Sequence, residues 1–119
     1  MPKYWMVTNR NRTGSQLGAQ RVALTYWVAE EAPLEDLSRW SQLSAGKFKE
    51  GLLNTARTFP ALQPTGEHVD QKHVCLFVHG YNSSWAEAVG RYEKLCHGLF
   101  AGDAGLGSCV LFTWPSHGS

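Results

Sequence analysis

The stretch VCLFVHGYNSSWAEAVGRYEKL, residues 74–95, decides the fold class of this protein. Its first five residues, 74–78, form an uninterrupted apolar run, which is typical of a parallel strand covered on both faces. A helix signal follows, because Ser84 and Glu87 have the spacing of a capping box. Apolar residues then recur at helical spacing over residues 85–100 and indicate one buried helix face. The sequence therefore predicts a strand followed directly by a helix.

A second apolar run, CVLFT at residues 109–113, comes after that helix and is stopped by Pro115. A strand, a helix and a strand make a βαβ unit, whose crossover is expected to be right-handed and whose strands run parallel. We therefore predict that residues 74–78 and 109–113 are neighbouring parallel strands, with helix 85–100 packed on one face. The predicted fold class is α/β.

The first 60 residues predict a less regular arrangement. A strand is expected at residues 4–8, and the polar residues 9–14 are expected to form a turn. A second strand at residues 21–28 would pair with the first as an antiparallel ribbon.

Two helices are expected between this ribbon and residue 60. Pro33 suits the first position of a short helix. The apolar side of that helix would carry Leu34, Leu37 and Trp40. A longer helix would have Ser44 as its N-cap and end before Pro60, and residues 61–73 are expected to be a loop.

Composition and charge exclude several classes of protein. The 119 residues carry a formal net charge of +1 and are 43% hydrophobic. The near-neutral charge argues against a nucleic-acid-binding protein, and the apolar content argues against a disordered chain. The sequence has no apolar run of about 18 residues, so it predicts no membrane-spanning helix. The N-terminus also lacks the apolar segment of a signal peptide. Three cysteines without a C-x-x-C spacing favour reduced thiols and a cytoplasmic location.

Two polar clusters follow the predicted parallel strands, at the carboxyl ends where open α/β sheets bind ligands. The first, HGYNSS at residues 79–84, has one glycine and lacks the patterns of dinucleotide-binding and phosphate-binding loops. The second cluster occupies residues 114–118. Gly80 would let the backbone turn sharply, so that the next N–H points into a cleft beside a helix N-terminus. Such an N–H stabilises negative charge that develops on an oxygen, as in an oxyanion hole.

The segments HGYNSSW and FTWPS, at this separation, resemble a bacterial family of uncharacterised α/β-hydrolases of esterase or lipase type. MVTNR at residues 6–10 and LTYW at residues 24–27 are similar to that family's opening strands. The resemblance implies a partial α/β-hydrolase fold in a single, incomplete domain. Its parts would be opening strands and helices at 1–60, a loop at 61–73, and a βαβ unit with the oxyanion segment at 74–119.

The resemblance also implies roles for individual residues. Gly80 and Tyr81 match the oxyanion motif, in which Tyr81 offers its backbone N–H to the reacting oxygen. His79 is expected to orient the segment by hydrogen bonding rather than to act as the catalytic base. The expected binding positions are His79, Asn82, Trp114 and Ser116, the last two at the rim of the cleft.

The chain departs from the family's pattern at the nucleophile. No glycine in it begins a G-x-S-x-G elbow, and the family's acid and histidine follow that elbow. The chain is therefore expected to be an N-terminal fragment that is inactive alone. Ser116 follows Pro115 and is expected to be a rim serine rather than a nucleophile. A metal site is not expected either, because the candidates in the polar loop fit a solvated segment better: His68, Asp70 and His73.

Three functions remain open from the sequence. The first is the N-terminal part of a serine α/β-hydrolase that acts on a small ester or related acyl substrate without a cofactor. The second is a non-enzymatic α/β binding module that uses an aromatic cleft near Trp114. The third is a truncated product with no function of its own.

Overall fold

A mixed sheet with a helix on each face forms the fold. The computed structural model describes residues 3–59, 72–80, 83–101 and 105–115. Within these residues the strands are β1 (Tyr4–Thr13), β2 (Gln16–Ala29), β3 (Trp40–Leu43), β4 (His73–Val78) and β5 (Gly107–Thr113). The helices are α1 (Ala45–Ala56) and α2 (Trp85–Leu99), with a short 3₁₀ helix at Leu37–Arg39.

The strand order is β3-β2-β1-β5-β4. Strands β4 and β5 are parallel neighbours, with Cys75 opposite Cys109, which confirms the prediction from the two apolar runs. Strand β5 also pairs in parallel with β1, whereas β1–β2 and β2–β3 are antiparallel. The N-terminal strand thus lies at the centre of the sheet, between an antiparallel half and a parallel half. The predicted α/β class is confirmed.

Alternation along the strands separates two apolar clusters. Helix α2 packs on the face of the larger cluster, and α1 packs on the opposite face, where its Phe48 meets Trp5 edge-on at 5.6 Å between ring centroids. From α2 the larger cluster takes Trp85, Val89, Tyr92 and Cys96. From the strands it takes Tyr4, Met6, Leu17, Trp27, Ala29, Trp40, Cys109 and Leu111. The stripe predicted at helical spacing is therefore a core face.

Tyr92 joins this helix to the middle of the sheet. Its ring is completely buried, and its hydroxyl accepts the N–H of Trp5 at 3.0 Å and donates to the carbonyl of Cys109 at 2.5 Å. Trp5 on β1 lies opposite Val110 on β5. One hydroxyl therefore bridges two strands at the point where their pairing begins.

Helix boundaries follow their caps. The Ser44 hydroxyl accepts the N–H of Lys47 and begins α1, as predicted, although the helix ends at Ala56. Ser84 and Glu87 form the predicted capping box at the start of α2. That helix ends one residue earlier than predicted. Pro60, the expected stop of α1, lies outside the described residues.

The predicted turn at residues 9–14 is wrong. Strand β1 continues to Thr13, and the turn occupies only Gly14 and Ser15, where Gly14 has a φ of +66°. The polar residues remain in the strand because β2 is long enough to pair with them, Arg10 opposite Arg21. The register shifts on either side of Arg10, so this part of the strand is irregular.

The helix predicted from Pro33 is also wrong. Only the 3₁₀ turn at Leu37–Arg39 forms, and the unpredicted strand β3 follows it. The backbone of Leu34 makes its hydrogen bonds outside a helix. Its N–H donates to the Glu93 carboxylate at 2.9 Å, and its carbonyl accepts the Trp40 indole N–H at 2.8 Å. The three apolar residues expected on the helix are nevertheless buried: Leu34, Leu37 and Trp40.

Strand β4 is covered on one face only, which corrects the expectation of a strand buried on both sides. It is an edge strand, and Val74, Leu76 and Val78 are 47%, 64% and 50% exposed. Cys75 and Phe77, on the opposite face, pack against the larger cluster. The strand also begins at His73, a residue expected in the loop. A continuous apolar run is typical of a strand with two covered faces, but here the α1 side of β4 is open.

Candidate functional site

The carboxyl ends of β4 and β5 meet beside the middle of β1. Thr8 lies opposite Thr113, and Val78 lies opposite Phe112, so the residues that follow both parallel strands share one edge. In the part of the chain that the structure describes, the buried polar side chains are Thr8, Arg10, His79, Ser83 and Thr113. All of them belong to this edge. Such a concentration of buried polar groups marks it as the candidate site.

His79, directly after β4, is fixed by the backbone on both sides. Its side chain is buried, Nε2 lies 3.0 Å from the backbone nitrogen of Trp114, and Nδ1 lies 2.8 Å from the carbonyl oxygen of Gly80. A backbone N–H can only donate, so Nε2 accepts and Nδ1 carries the proton that is donated to Gly80. The imidazole also stacks on the Trp114 ring, with centroids 5.6 Å apart and 13° between the planes.

The surroundings keep His79 neutral. Burial lowers the pKa of its imidazole most, and the positive charges of Arg10 and Arg91 lower it further, against the opposing effect of the bond to the Gly80 carbonyl. A neutral imidazole with both nitrogens occupied has no free position for a substrate proton. The geometry is that of a residue that ties the end of β4 to the end of β5.

Arg10 is the central connection of the site. Its side chain is 2% exposed and donates from Nε to the Thr113 hydroxyl at 2.8 Å. Its two terminal nitrogens donate to the carbonyls of Gly18 at 3.0 Å and Ser83 at 2.7 Å. The guanidinium therefore joins β1 to β2, to β5 and to the residue before the α2 cap. Burial lowers its pKa, though arginine remains protonated in proteins.

The two threonines complete the network beneath Arg10. The Thr8 hydroxyl donates to the carbonyl of Thr113 at 2.8 Å and accepts the N–H of Arg10 at 3.0 Å. Both threonines are completely buried. The Thr8 hydroxyl therefore satisfies two backbone groups where β1 departs from regular pairing, while the Thr113 hydroxyl accepts from the Arg10 side chain.

The amino end of α2 faces the same edge. Its cap, Ser84, follows the Ser83 carbonyl that Arg10 binds, and the Trp85 indole N–H donates to the carbonyl of Glu35 at 2.8 Å. Unpaired N–H groups in the first turn give a helix a positive amino end. The guanidinium therefore adds its positive charge beside the amino end of α2, whose own partial charge is partly offset by the Glu87 carboxylate of the capping box.

The structure describes some of the predicted site residues and not others. His79, Gly80 and Trp114 come together at this edge, whereas Tyr81, Asn82 and Ser116 lie outside the described residues, as do His68 and Asp70. Gly80 does not have the left-handed backbone expected of a glycine-dependent turn, and no described atom lies within 4 Å of the Cβ that a side chain there would add. The glycine therefore leaves open space at the end of β4, where a sharp turn was expected.

Arg10, Thr8 and Thr113 were missed as site residues. Arg10 was assigned to a turn, so its burial could not be expected. The available signal is the place of Arg10 at the end of MVTNR, the segment at residues 6–10 that resembles the family's opening strand.

Comparison with protein families supports the sequence resemblance over the C-terminal half. Residues 61–119 match the family described as alpha/beta hydrolase of unknown function (DUF900). The α/β-hydrolase match contains β4, α2 and β5, and the sheet is consistent with a partial α/β-hydrolase fold. The opening strands lie outside the matched range. Searches of curated proteins and of solved structures found no match.

Two further features bear on partners. Among the described residues, no group of three or more His, Cys, Asp or Glu side chains could hold a metal ion. Neither α1 nor α2 is long and apolar enough to cross a membrane, and the same holds for any helix in the described ranges.

Proposed function

We propose that this chain supplies the oxyanion-stabilising part of a serine α/β-hydrolase that acts on a small ester or related acyl substrate. In this proposal a serine attacks the acyl carbonyl, and a backbone N–H binds the oxyanion that forms. The nucleophile, acid and base would come from outside the 119 residues, which contain no G-x-S-x-G elbow. Residues 1–119 would be one incomplete domain, in keeping with a core cluster shared by β1, β2, α2 and β5.

The observation that carries the proposal is the bond from His79 Nδ1 to the Gly80 carbonyl. This bond fixes the direction of the peptide unit that leaves Gly80. Because a peptide unit is planar and trans, its N–H points away from its carbonyl oxygen. We therefore propose that the backbone N–H of the next residue, Tyr81, is the donor.

Two surrounding features support this assignment. Arg10 and the amino end of α2 supply positive charge at the same edge, which favours a developing negative oxygen. The open space at Gly80 would admit the reacting carbonyl. Asn82, Trp114 and Ser116 are proposed to line the substrate side, with one face of Trp114 covered by His79. Three free cysteines, Cys75, Cys96 and Cys109, support a cytoplasmic location.

Labelling with a fluorophosphonate, which reacts with activated serines, tests the proposal. The chain alone is expected to show neither labelling nor hydrolysis of p-nitrophenyl esters. Labelling that is lost in Ser116→Ala would place a nucleophile within the chain and contradict the division of roles. The coding sequence after codon 119 gives the complementary test, since a G-x-S-x-G followed by Asp and His is expected there. A stop codon at that point would contradict the proposal.

A non-enzymatic binding module is the second candidate, because the open edge of β4 carries an uncovered apolar face. Its exposed residues are Val74, Leu76 and Val78. An edge strand without a charge or a proline on that face is suited to pairing with another chain. A chain that stays monomeric and melts cooperatively over a wide concentration range would favour a self-sufficient module, whose β4 edge is kept for a different protein, over an incomplete hydrolase domain, which is expected to associate with itself.

A further inference from the structure

We infer that Arg10 is the positioning residue of the strand-end frame, which we define as His79, Ser83, Thr113 and Trp114. The inference rests on the proposed function, and it assigns Arg10 a second role as the fixed charge behind the oxyanion. Arg10 is not expected to touch the substrate, because its side chain is almost completely buried.

The positioning role follows from the three acceptors of the guanidinium. One is the Ser83 carbonyl, directly before the cap of α2, and another is the Thr113 hydroxyl, directly before Trp114. Trp114 in turn donates its backbone N–H to His79. Arg10 therefore holds both ends of the segment that runs from β4 into α2, one directly and one through β5. The third acceptor, the Gly18 carbonyl, keeps the guanidinium plane in place against β2.

The electrostatic role follows from the neutral character of the three acceptors. Within residues 3–59, 72–80, 83–101 and 105–115, Arg10 takes part in no ion pair, and its hydrogen bonds go to two carbonyls and a hydroxyl. These neutral acceptors satisfy the N–H groups without bringing a negative charge to the guanidinium, and burial weakens the screening of its charge by solvent. A negative oxygen at the end of β4 would therefore be attracted by this charge during the reaction.

Lysine cannot replace arginine in this arrangement. A lysine keeps the charge, but its single ammonium cannot reach three acceptors in one plane as the guanidinium does. Arg10→Lys therefore keeps the positive charge but loses the positioning hydrogen bonds, and Arg10→Met removes both. Arg12→Lys is the matched control, because Arg12 lies on the same strand, is exposed, and donates only locally, to the carbonyl of Gly14.

The probe is methylphosphonate, a tetrahedral anion that mimics the charged intermediate. Its binding to the native chain and to the three variants is followed through the NMR amide signals of Gly80 and Trp114. The ¹⁵N shifts of the His79 ring report separately whether Nε2 still accepts a hydrogen bond. We expect equal affinity in the native chain and Arg12→Lys, and affinity lower by about tenfold or more in Arg10→Met. Arg10→Lys should be intermediate and should shift the His79 nitrogens.

The outcomes separate this inference from the proposed function. Binding to Arg10→Met at native affinity, with unshifted His79 nitrogens, overturns the inference and leaves the proposed function standing. If the native chain binds no methylphosphonate, the proposed function fails. In that case the ¹⁵N shifts of the His79 ring in Arg10→Lys alone decide whether Arg10 positions the frame. If Arg10→Met does not fold, Arg10→Lys decides. If neither folds, Arg10 is a folding residue and the inference is wrong.

Discussion

Replacing Tyr92 by phenylalanine should destabilise the protein, although it removes only one oxygen atom. That oxygen makes two hydrogen bonds, from the N–H of Trp5 and to the carbonyl of Cys109, in a completely buried position. Each buried bond contributes about 1 kcal/mol, so the free energy of unfolding should fall by about 2 kcal/mol. The loss would be larger if both backbone groups stayed unpaired, because the desolvation cost of each is then uncompensated.

Urea denaturation followed by tryptophan fluorescence measures this change. Tyr26→Phe is the matched control, because the Tyr26 hydroxyl has no hydrogen-bond partner within the described part of the chain while its ring packs on Phe48. The control should change the free energy of unfolding by less than about 0.5 kcal/mol. Equal effects of the two substitutions would refute the reasoning, since they would show that the bridge between β1 and β5 contributes nothing specific.

Three further substitutions or conditions test other parts of the structure. Gly107→Ala should prevent folding, seen as the loss of the unfolding transition in a thermal melt, because φ is +122° and the new Cβ would clash with the His73 backbone. Gly90→Ala in α2, the control, should stabilise the protein by about 0.5–1 kcal/mol. Leu76→Lys should reduce concentration-dependent association in analytical ultracentrifugation, because it places a charge on the open face of β4, and unchanged association would exclude that face as its cause. The free energy of unfolding should fall as the pH drops below about 6.5, because the unfolded chain protonates His79 more readily than the folded one. His79→Gln should weaken that dependence, and an NMR titration that gives His79 an ordinary pKa would contradict it.

The elements that the sequence predicted well are those whose signals are local. The capping box of Ser84 and Glu87 and the helical spacing after it depend on residues within a few turns, and the structure has both. The parallel pairing of β4 and β5 follows from connection rules that hold for almost every βαβ unit. Of the two partners of the His79 ring, by contrast, only the Gly80 carbonyl is local, whereas the Trp114 N–H reaches Nε2 because β5 pairs with β4.

The errors arose where tertiary contacts outweighed local propensity. Arg10 stands in a run of polar residues that favours a turn, yet a long partner strand and three distant acceptors keep it extended and buried. The backbone of Leu34 is held by Glu93, a residue 59 positions away, so the local helix signal at Pro33 had no effect. Such acceptors cannot be recognised without knowing which strands lie side by side, and the site that depends on them was found only in part.

The central position of β1 has a consequence for how the chain is made. Its antiparallel partner β2 follows it immediately, but its parallel partner β5 begins only at Gly107. At a synthesis rate of about 5–20 residues per second, the three-stranded meander of β1, β2 and β3 waits for several seconds with one side of β1 unpaired. A ribosome-bound intermediate with an open central strand is a natural substrate for chaperones. Refolding from denaturant should be slow for the same reason, since the pairing of β1 with β5 joins residues from opposite ends of the chain.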